Sequence, residues 1–281
     1  MAKYALLCDI EKCTGCFSCF LACKDEHVGN DHSPYAAPAS EGQKWIDIQE
    51  IEYGVGDKVK VDYIPIMCQH CHTPACAEGA AEGAVYTRNG GIVIIDPTRA
   101  KGAKSIVGSC PYGAVYWNEA LELPQKCTLC AHMLDSGAKT TRCVECCPTG
   151  ALVFGDIKDP ESDVSKLSAR LGERLETYNL RFGTRPRVKY HGLPKPFIAG
   201  ELAFSDRIGE PACGVGVALV CKETGKSYAT VTNAFGDFEF KYLQFGDTYT
   251  VQIKTPGYAP VEREIHANQA QNLGTITLLK E

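Results

Sequence analysis

The sequence predicts an α+β chain of two unlike parts. A metal-stapled domain spans residues 1–155, a partly helical connector 156–196, and a seven-stranded all-β sandwich 197–281. Three observations carry this. Fourteen of the sixteen cysteines lie between Cys8 and Cys147. That stretch is rich in Gly and Pro and has little sustained periodicity, so bound metal has to supply much of its folding free energy. From Ile198 onward apolar residues alternate instead, with a turn signal between successive runs.

The first part is organised by its cysteines. Cys13-x2-Cys16-x2-Cys19-x3-Cys23 has the spacing of bacterial ferredoxins, in which a loop gives three thiolates to one [4Fe–4S] cluster and a fourth to another. Zinc sites pair cysteines in twos, so a run of four points to iron. The exchange requires a partner run, and Cys127-x2-Cys130-x12-Cys143-x3-Cys147-Pro148 supplies one. Cys13, Cys16, Cys19 and Cys147 then make one cluster, and Cys127, Cys130, Cys143 and Cys23 a second. Between the runs, Cys68-x2-Cys71-x4-Cys76 and a distant Cys110-Pro111 form a third set of four. The expected domain is therefore ferredoxin-like.

Three short repeats align these motifs: Ala80 to Tyr86, Cys110 to Tyr116, and Cys147 to Val153. The first has Ala80-Ala81 where the others have Cys-Pro. A full run ending at Cys110 also needs cysteines at 100, 103 and 106, where Ala100, Ala103 and Ile106 stand. By the exchange rule, positions 80, 100, 103 and 106 would share one cluster, and all four are apolar. The pattern is a four-cluster scaffold with one site emptied, and twelve cysteines make three clusters.

Four cysteines remain. Cys221 is in phase with Val217 and Leu219, as a buried small hydrophobe would be. Cys146 reads as a packing residue beside the ligand Cys147, and Cys8 and Cys213 have no assignment. His70, His72 and His132 adjoin cluster cysteines, but the thiolate count is complete without them, so hydrogen-bonding, potential-tuning or structural roles are expected. Asn89-Gly90-Gly91 reads as a hairpin turn before Ile92 to Ile95.

In the connector, Val164, Leu167, Leu171 and Leu175 give Pro160 to Tyr178 helical character, and Thr184 to Pro196 looks extended. Strands are expected near 198–204, 215–222, 227–232, 238–241, 248–254, 261–266 and 273–279, a spacing that suggests a β-sandwich. No catalytic constellation stands out in it, so a structural or docking role is expected.

Composition narrows the function further. Lys+Arg 29 against Asp+Glu 34 gives a net charge of −5, which argues against nucleic-acid binding. The longest apolar stretches are strand-sized, well short of the roughly 20 residues of a membrane span. The N-terminus shows no signal h-region and no twin-arginine pair, so the default expectation is a cytoplasmic protein, with export on a partner's signal left open. No P-loop or dinucleotide fingerprint is present.

The exchanged runs, the C-x2-C-x4-C motif and Cys110-Pro111-Tyr112-Gly113-Ala114 resemble the electron-transfer subunits of molybdopterin oxidoreductases of the dimethyl sulfoxide reductase family. The emptied site and the added sandwich are similar, within that family, to the small subunits of pyrogallol–phloroglucinol transhydroxylases. Gln43-Lys44-Trp45, Gly90 to Pro97, Cys110 to Asn118 and Gln125 to His132 carry that likeness. The resemblance implies three [4Fe–4S] clusters and an immunoglobulin-like or transthyretin-like C-terminal domain. It also implies a heterodimer with a large catalytic subunit that holds Mo (or W) on a bis-pterin guanine dinucleotide cofactor and acts on a polyphenol. This chain would relay electrons and carry no catalytic residues. The alternatives are a free-standing ferredoxin-like carrier, or a subunit serving another reductase of oxyanions or S/N-oxides.

Overall fold

Tyr4-Ala5-Leu6-Leu7-Cys8-Asp9 runs straight into the first cysteine motif, and nothing in the sequence marks it as a strand. In the computed structural model, which describes residues 2–55, 58–207 and 209–281, it is an inner strand of a sheet. Contacts divide the chain into two units, Met1–Glu50 with Asp62–Leu193, and Ile51–Val61 with Pro194–Glu281.

In chain order the first unit begins with β1 (Tyr4–Asp9) and α1 (Ser18–His27). The hairpin β2 (Ile46–Val55) and β3 (Lys58–Met67) follows, and its outer residues 51–61 group with the second unit. Next come β4 (Val85–Thr87), β5 (Val93–Ile95), α2 (Ser105–Gly108), β6 (Tyr116–Asn118) and β7 (Leu123–Gln125). The short helices α3 (Ala131–Asp135) and α4 (Arg142–Glu145) precede β8 (Leu152–Asp156), α5 (Asp163–Leu171), β9 (Leu175–Glu176) and β10 (Val188–His191). The sheet runs β8-β1-β10-β9, with β1 antiparallel to β8 and parallel to β10.

The connector residues 156–193 thus pack with the first unit, and α5 shows why. Ser162 caps the helix by accepting from the Ser165 N–H at 3.3 Å. Val164, Leu167 and Leu171 form one apolar stripe that packs on Leu7 of β1. The helix is shorter than its apolar spacing suggests. Gly172, at φ +52°, ends it in a conformation that costs glycine little, and Leu175 is recruited into β9 opposite His191.

The second unit holds seven strands close to the expected positions: β11 (Ile198–Phe204), β12 (Gly216–Cys221), β13 (Ser227–Val231), β14 (Asp237–Phe240), β15 (Thr248–Ile253), β16 (Val261–His266) and β17 (Gln271–Leu278). They form two sheets, β14-β11-β17 and β13-β12-β15-β16. Leu202, Phe238 and Ile276 from the first meet Leu219, Tyr249 and Val251 from the second in one buried core. The alternation that predicted the strands is what puts Val217, Leu219 and Cys221 on that inner face. Gly200 sits where β11 shifts register against β17, and a Cβ there would stand 2.8 Å from the Phe238 ring. The 51–61 segment adds to this unit through Tyr53, whose ring lies 6.1 Å from that of Phe197, and through the Lys60–Glu239 ion pair.

Leu219 is fully buried in that core. Leu219→Ala is expected to destabilise the second unit by about 2–5 kcal/mol, read as a lowered thermal midpoint in circular dichroism, with the iron content of the chain unchanged.

Candidate metal centres

Two packed helices explain the exchange of cysteines. Gly15 and Phe17, both at positive φ (+64° and +58°), turn the chain sharply into α1. Cys19 and Cys23 lie four residues apart on that helix and therefore share a face. α4 packs against α1 and carries Cys143, with Cys147 four residues further on. Each helix thus offers one thiol to each of two neighbouring sites.

Many of the twelve thiols lie near one another, and their mutual influences run between the expected sets as well as within them, as where Cys143 acts on Cys19 and Cys68 on Cys127. Cys147 and Cys16 lie close enough to Cys13 to raise its pKa, and Cys147 and Cys13 do the same to Cys19. Cys127, Cys143 and Cys130 surround Cys23 in the same sense, and these four line one cavity with Leu6 and Met67. Cys68, Cys110 and Cys71 act on Cys76 to complete the third. All sixteen cysteines are free thiols.

Burial is the dominant cause of the shifts, and neighbouring thiols add to it. Cys19, Cys76 and Cys130 are pushed up to about 12, and Cys71 and Cys143 to about 11. Cys23 and Cys127 are raised well above the ordinary thiol value. Main-chain donors oppose this at Cys127 and Cys110. The Leu129 N–H donates to Cys127 Sγ at 3.4 Å and the His70 N–H to Cys68 Sγ at 3.5 Å, while Tyr112 and Ala114 serve Cys110. His70 and Leu129 take left-handed φ (+43° and +48°), which curls their amides inward toward the sulfurs. All-sulfur donors in fours, ringed by apolar side chains and amide N–H groups, fit [4Fe–4S] clusters.

The four apolar replacements also meet. Ala100 and Ile106 are buried in one hydrophobic cluster with Cys76, Ala84, Val93, Ile95 and Val115, and Ala80 and Ala103 pack against it. The position of a fourth site is ordinary core.

The remaining residues take non-ligand places. Cys8 is buried on β1 between the first two sets, where Cys143, Cys19, Cys13 and Cys147 all act on it. The Cys146 thiol donates to the Cys143 carbonyl at 3.4 Å, Cys221 lies in the sandwich core, and Cys213 is exposed. His70 Nδ1 accepts from the Val93 N–H at 3.1 Å. His132 pairs with Glu26 at 2.8 Å, and His72 Nδ1 is 3.5 Å from the Arg185 guanidinium.

Two residues that spacing alone did not single out stand beside the thiols. Lys126 is buried, and its ammonium donates to the carbonyls of Val93 and Cys127, a fixed positive charge next to Cys76 and Cys110. Trp45 is buried against Cys23 and Cys127, and its indole N–H donates to Gln43 Oε1 at 2.8 Å. Gln43 in turn donates to Gln125 Oε1 at 3.0 Å, tying this segment to β7, two residues before Cys127. The Trp45 segment carried the family likeness, but a lone tryptophan has no spacing that declares a role.

Residues 59–157 match the 4Fe-4S dicluster domain model, and residues 204–279 the carboxypeptidase regulatory-like domain. The pyrogallol hydroxytransferase small subunit of Pelobacter acidigallici is 37% identical over 99% of this chain and 100% of its own length. A tetrathionate reductase subunit of Salmonella typhimurium is 31% identical over 70% of this chain and 75% of its own. A putative dimethyl sulfoxide reductase iron-sulfur subunit of Halobacterium salinarum is 33% identical over 68% and 79%.

Trp45 belongs to the hydrophobic cluster against which Cys23 and Cys127 of the second thiol set pack. Trp45→Ala should lower stability by about 3–5 kcal/mol and speed the bleaching of visible absorbance in air, whereas Trp45→Phe should keep most of the protection. Equal bleaching rates for wild type and Trp45→Ala would show that the ring does not shield this set.

Proposed function

We infer the function of this chain from its family: it belongs to the iron–sulfur small subunits of dimethyl sulfoxide reductase-family complexes. It is an electron-transfer subunit bearing [4Fe–4S] clusters, and its catalytic partner is a separate subunit. We propose that it holds three clusters and relays electrons to or from a Mo (or W) bis-pterin subunit that acts on a polyphenol. Cys13, Cys16, Cys19 and Cys147 would hold the first cluster, Cys23, Cys127, Cys130 and Cys143 the second, and Cys68, Cys71, Cys76 and Cys110 the third.

One observation supports the count of three: the positions of a fourth set are packed as core, while the twelve cysteines of the other sets are all free thiols. A bound cluster exchanges single electrons at a potential set by ligation, hydrogen bonds to sulfur and burial. The chain's own residues supply those settings. Thiolates fix the positions, amides such as those of Leu129 and His70 donate to sulfur, and Leu6, Met67 and Trp45 exclude water.

The polyphenol reading rests on coverage. The hydroxytransferase relative aligns through the β-rich unit, whereas the tetrathionate and dimethyl sulfoxide relatives align with only 70% and 68% of this chain. Service to another reductase is the second reading. The β-rich unit is assigned a structural or docking role in either case, as an immunoglobulin-like or transthyretin-like sandwich.

The complex purified without oxygen should contain about twelve iron atoms and matching sulfide per copy of this chain, together with Mo or W on a larger subunit. Cys23→Ser should lower the iron toward about eight. Full iron in a chain that purifies alone, without Mo or W, would favour a free-standing carrier. Zinc without labile sulfide would overturn the cluster assignment.

A further inference from the structure

A cationic cleft on an apolar floor lies beside β1 in the first unit. Its cavity of about 320 Å3 is at the small end of the range for small-molecule sites. Lys3, His72, Arg185, Arg187 and Lys189 line it. Among the described residues none of the five forms an ion pair with a carboxylate. The Lys189 ammonium donates only to the neutral Thr177 hydroxyl, at 2.6 Å. Arg187 Nε is buried with no hydrogen-bond partner at all. That N–H lies against the bare backbone of Gly91, so an anion in the cleft would meet the rest of the guanidinium and the Lys189 ammonium.

The floor is a different chemistry. Ala5, Leu7, Ile157 and Leu175 supply it, with the Tyr4 ring at one side. The Gly90-Gly91 turn backs two of the lining side chains, Tyr4 and Arg187. Both glycines sit at φ +86°; a Cβ on Gly91 would stand 2.3 Å from Arg187 Cζ, and one on Gly90 2.5 Å from the Tyr4 ring. The guanidinium and the ring therefore rest on bare backbone, which only this pair of glycines permits.

We propose that this cleft binds a small organic anion, a carboxylate carried on a flat apolar body. The carboxylate lies at Arg187 and Lys189, and the body covers Leu7 and Leu175. An inorganic anion would leave the apolar floor to water, and a neutral ring would leave the cations unpaired. An acidic peptide would set its own N–H and C=O groups against a floor that cannot satisfy them. The cleft borders the third thiol set, because His72 follows Cys71 and the Arg187 N–H donates to the Gln69 carbonyl at 3.0 Å. The inference does not depend on which metal those thiols hold.

The test is calorimetric titration of the intact complex, purified without oxygen, with 2-naphthoate, 2-naphthalenemethanol and inorganic phosphate. One naphthoate should bind per copy of this chain, more weakly as salt is raised, with the alcohol and phosphate each at least tenfold weaker. Arg187→Met and Lys189→Met should each weaken naphthoate at least tenfold. Leu175→Trp, which fills the floor without changing charge, should abolish binding. Lys166→Met, on α5, should leave it unchanged. Iron content equal to wild type in each variant separates loss of the cleft from loss of the fold. No saturable binding to the complex, binding that survives all three cleft variants, or phosphate or the alcohol binding as tightly as naphthoate would each overturn the proposal.

Discussion

Burying a thiolate is the constraint on which the first unit depends. Taken out of water without a partner, the ion is so unfavourable that burial and crowding hold Cys19, Cys76 and Cys130 near 12. Iron removes that penalty by sharing the charge, so thiol burial and metal binding form one cooperative event. Local structure is subordinate to it. α2 and α4 are four residues long and α3 is five, below what helices sustain by their own hydrogen bonds. Left-handed residues that would be strained in an ordinary loop serve here to turn amides toward sulfur.

The emptied fourth position shows the same constraint from the other side. The turns after Cys110 and Cys147 both close with a glycine N–H donating back to the cysteine carbonyl, at 3.1 and 3.3 Å, with the glycines at φ +62° and +64°. The copy beginning at Ala80 keeps Gly83 at φ +75°. The repeat has therefore kept its glycine while losing its cysteine. Where thiols are absent, Ala100 and Ile106 close over the space with Val93, Ile95 and Val115. Side-chain packing replaces metal ligation as the source of cohesion, and the neighbouring third set keeps Cys76 and Cys110 in contact with that core.

How much of this is legible in the sequence depends on whether a residue belongs to a pattern. The sandwich strands are, because an inward face such as Val217, Leu219 and Cys221 repeats every second residue. The thiol sets are, because exchanged spacings constrain one another across more than a hundred residues. β1 is not, and although β10 lies in the stretch read as extended, the pairing of the two was not legible, because it is parallel and non-local. The end of α5 needed the weight of Gly172 over the continuing apolar period at Leu175. Lys126 and the buried Arg187 Nε were out of reach altogether, since a single cation next to a motif looks like any solvated residue until its surroundings are known.

The three sets also have an order. The first and second share α1 and α4, so Cys19 feels Cys143 and Cys23 feels Cys19. The second and third meet where Cys68 acts on Cys127. A relay through clusters held by these sets would use those two contacts. Beyond the third set the scaffold would have offered a fourth, but the chain has closed that direction with hydrocarbon. The other side of the third set is the basic cleft reached through His72 and Arg187. One end of the relay is thus bounded by an insulating core and a concentration of positive charge.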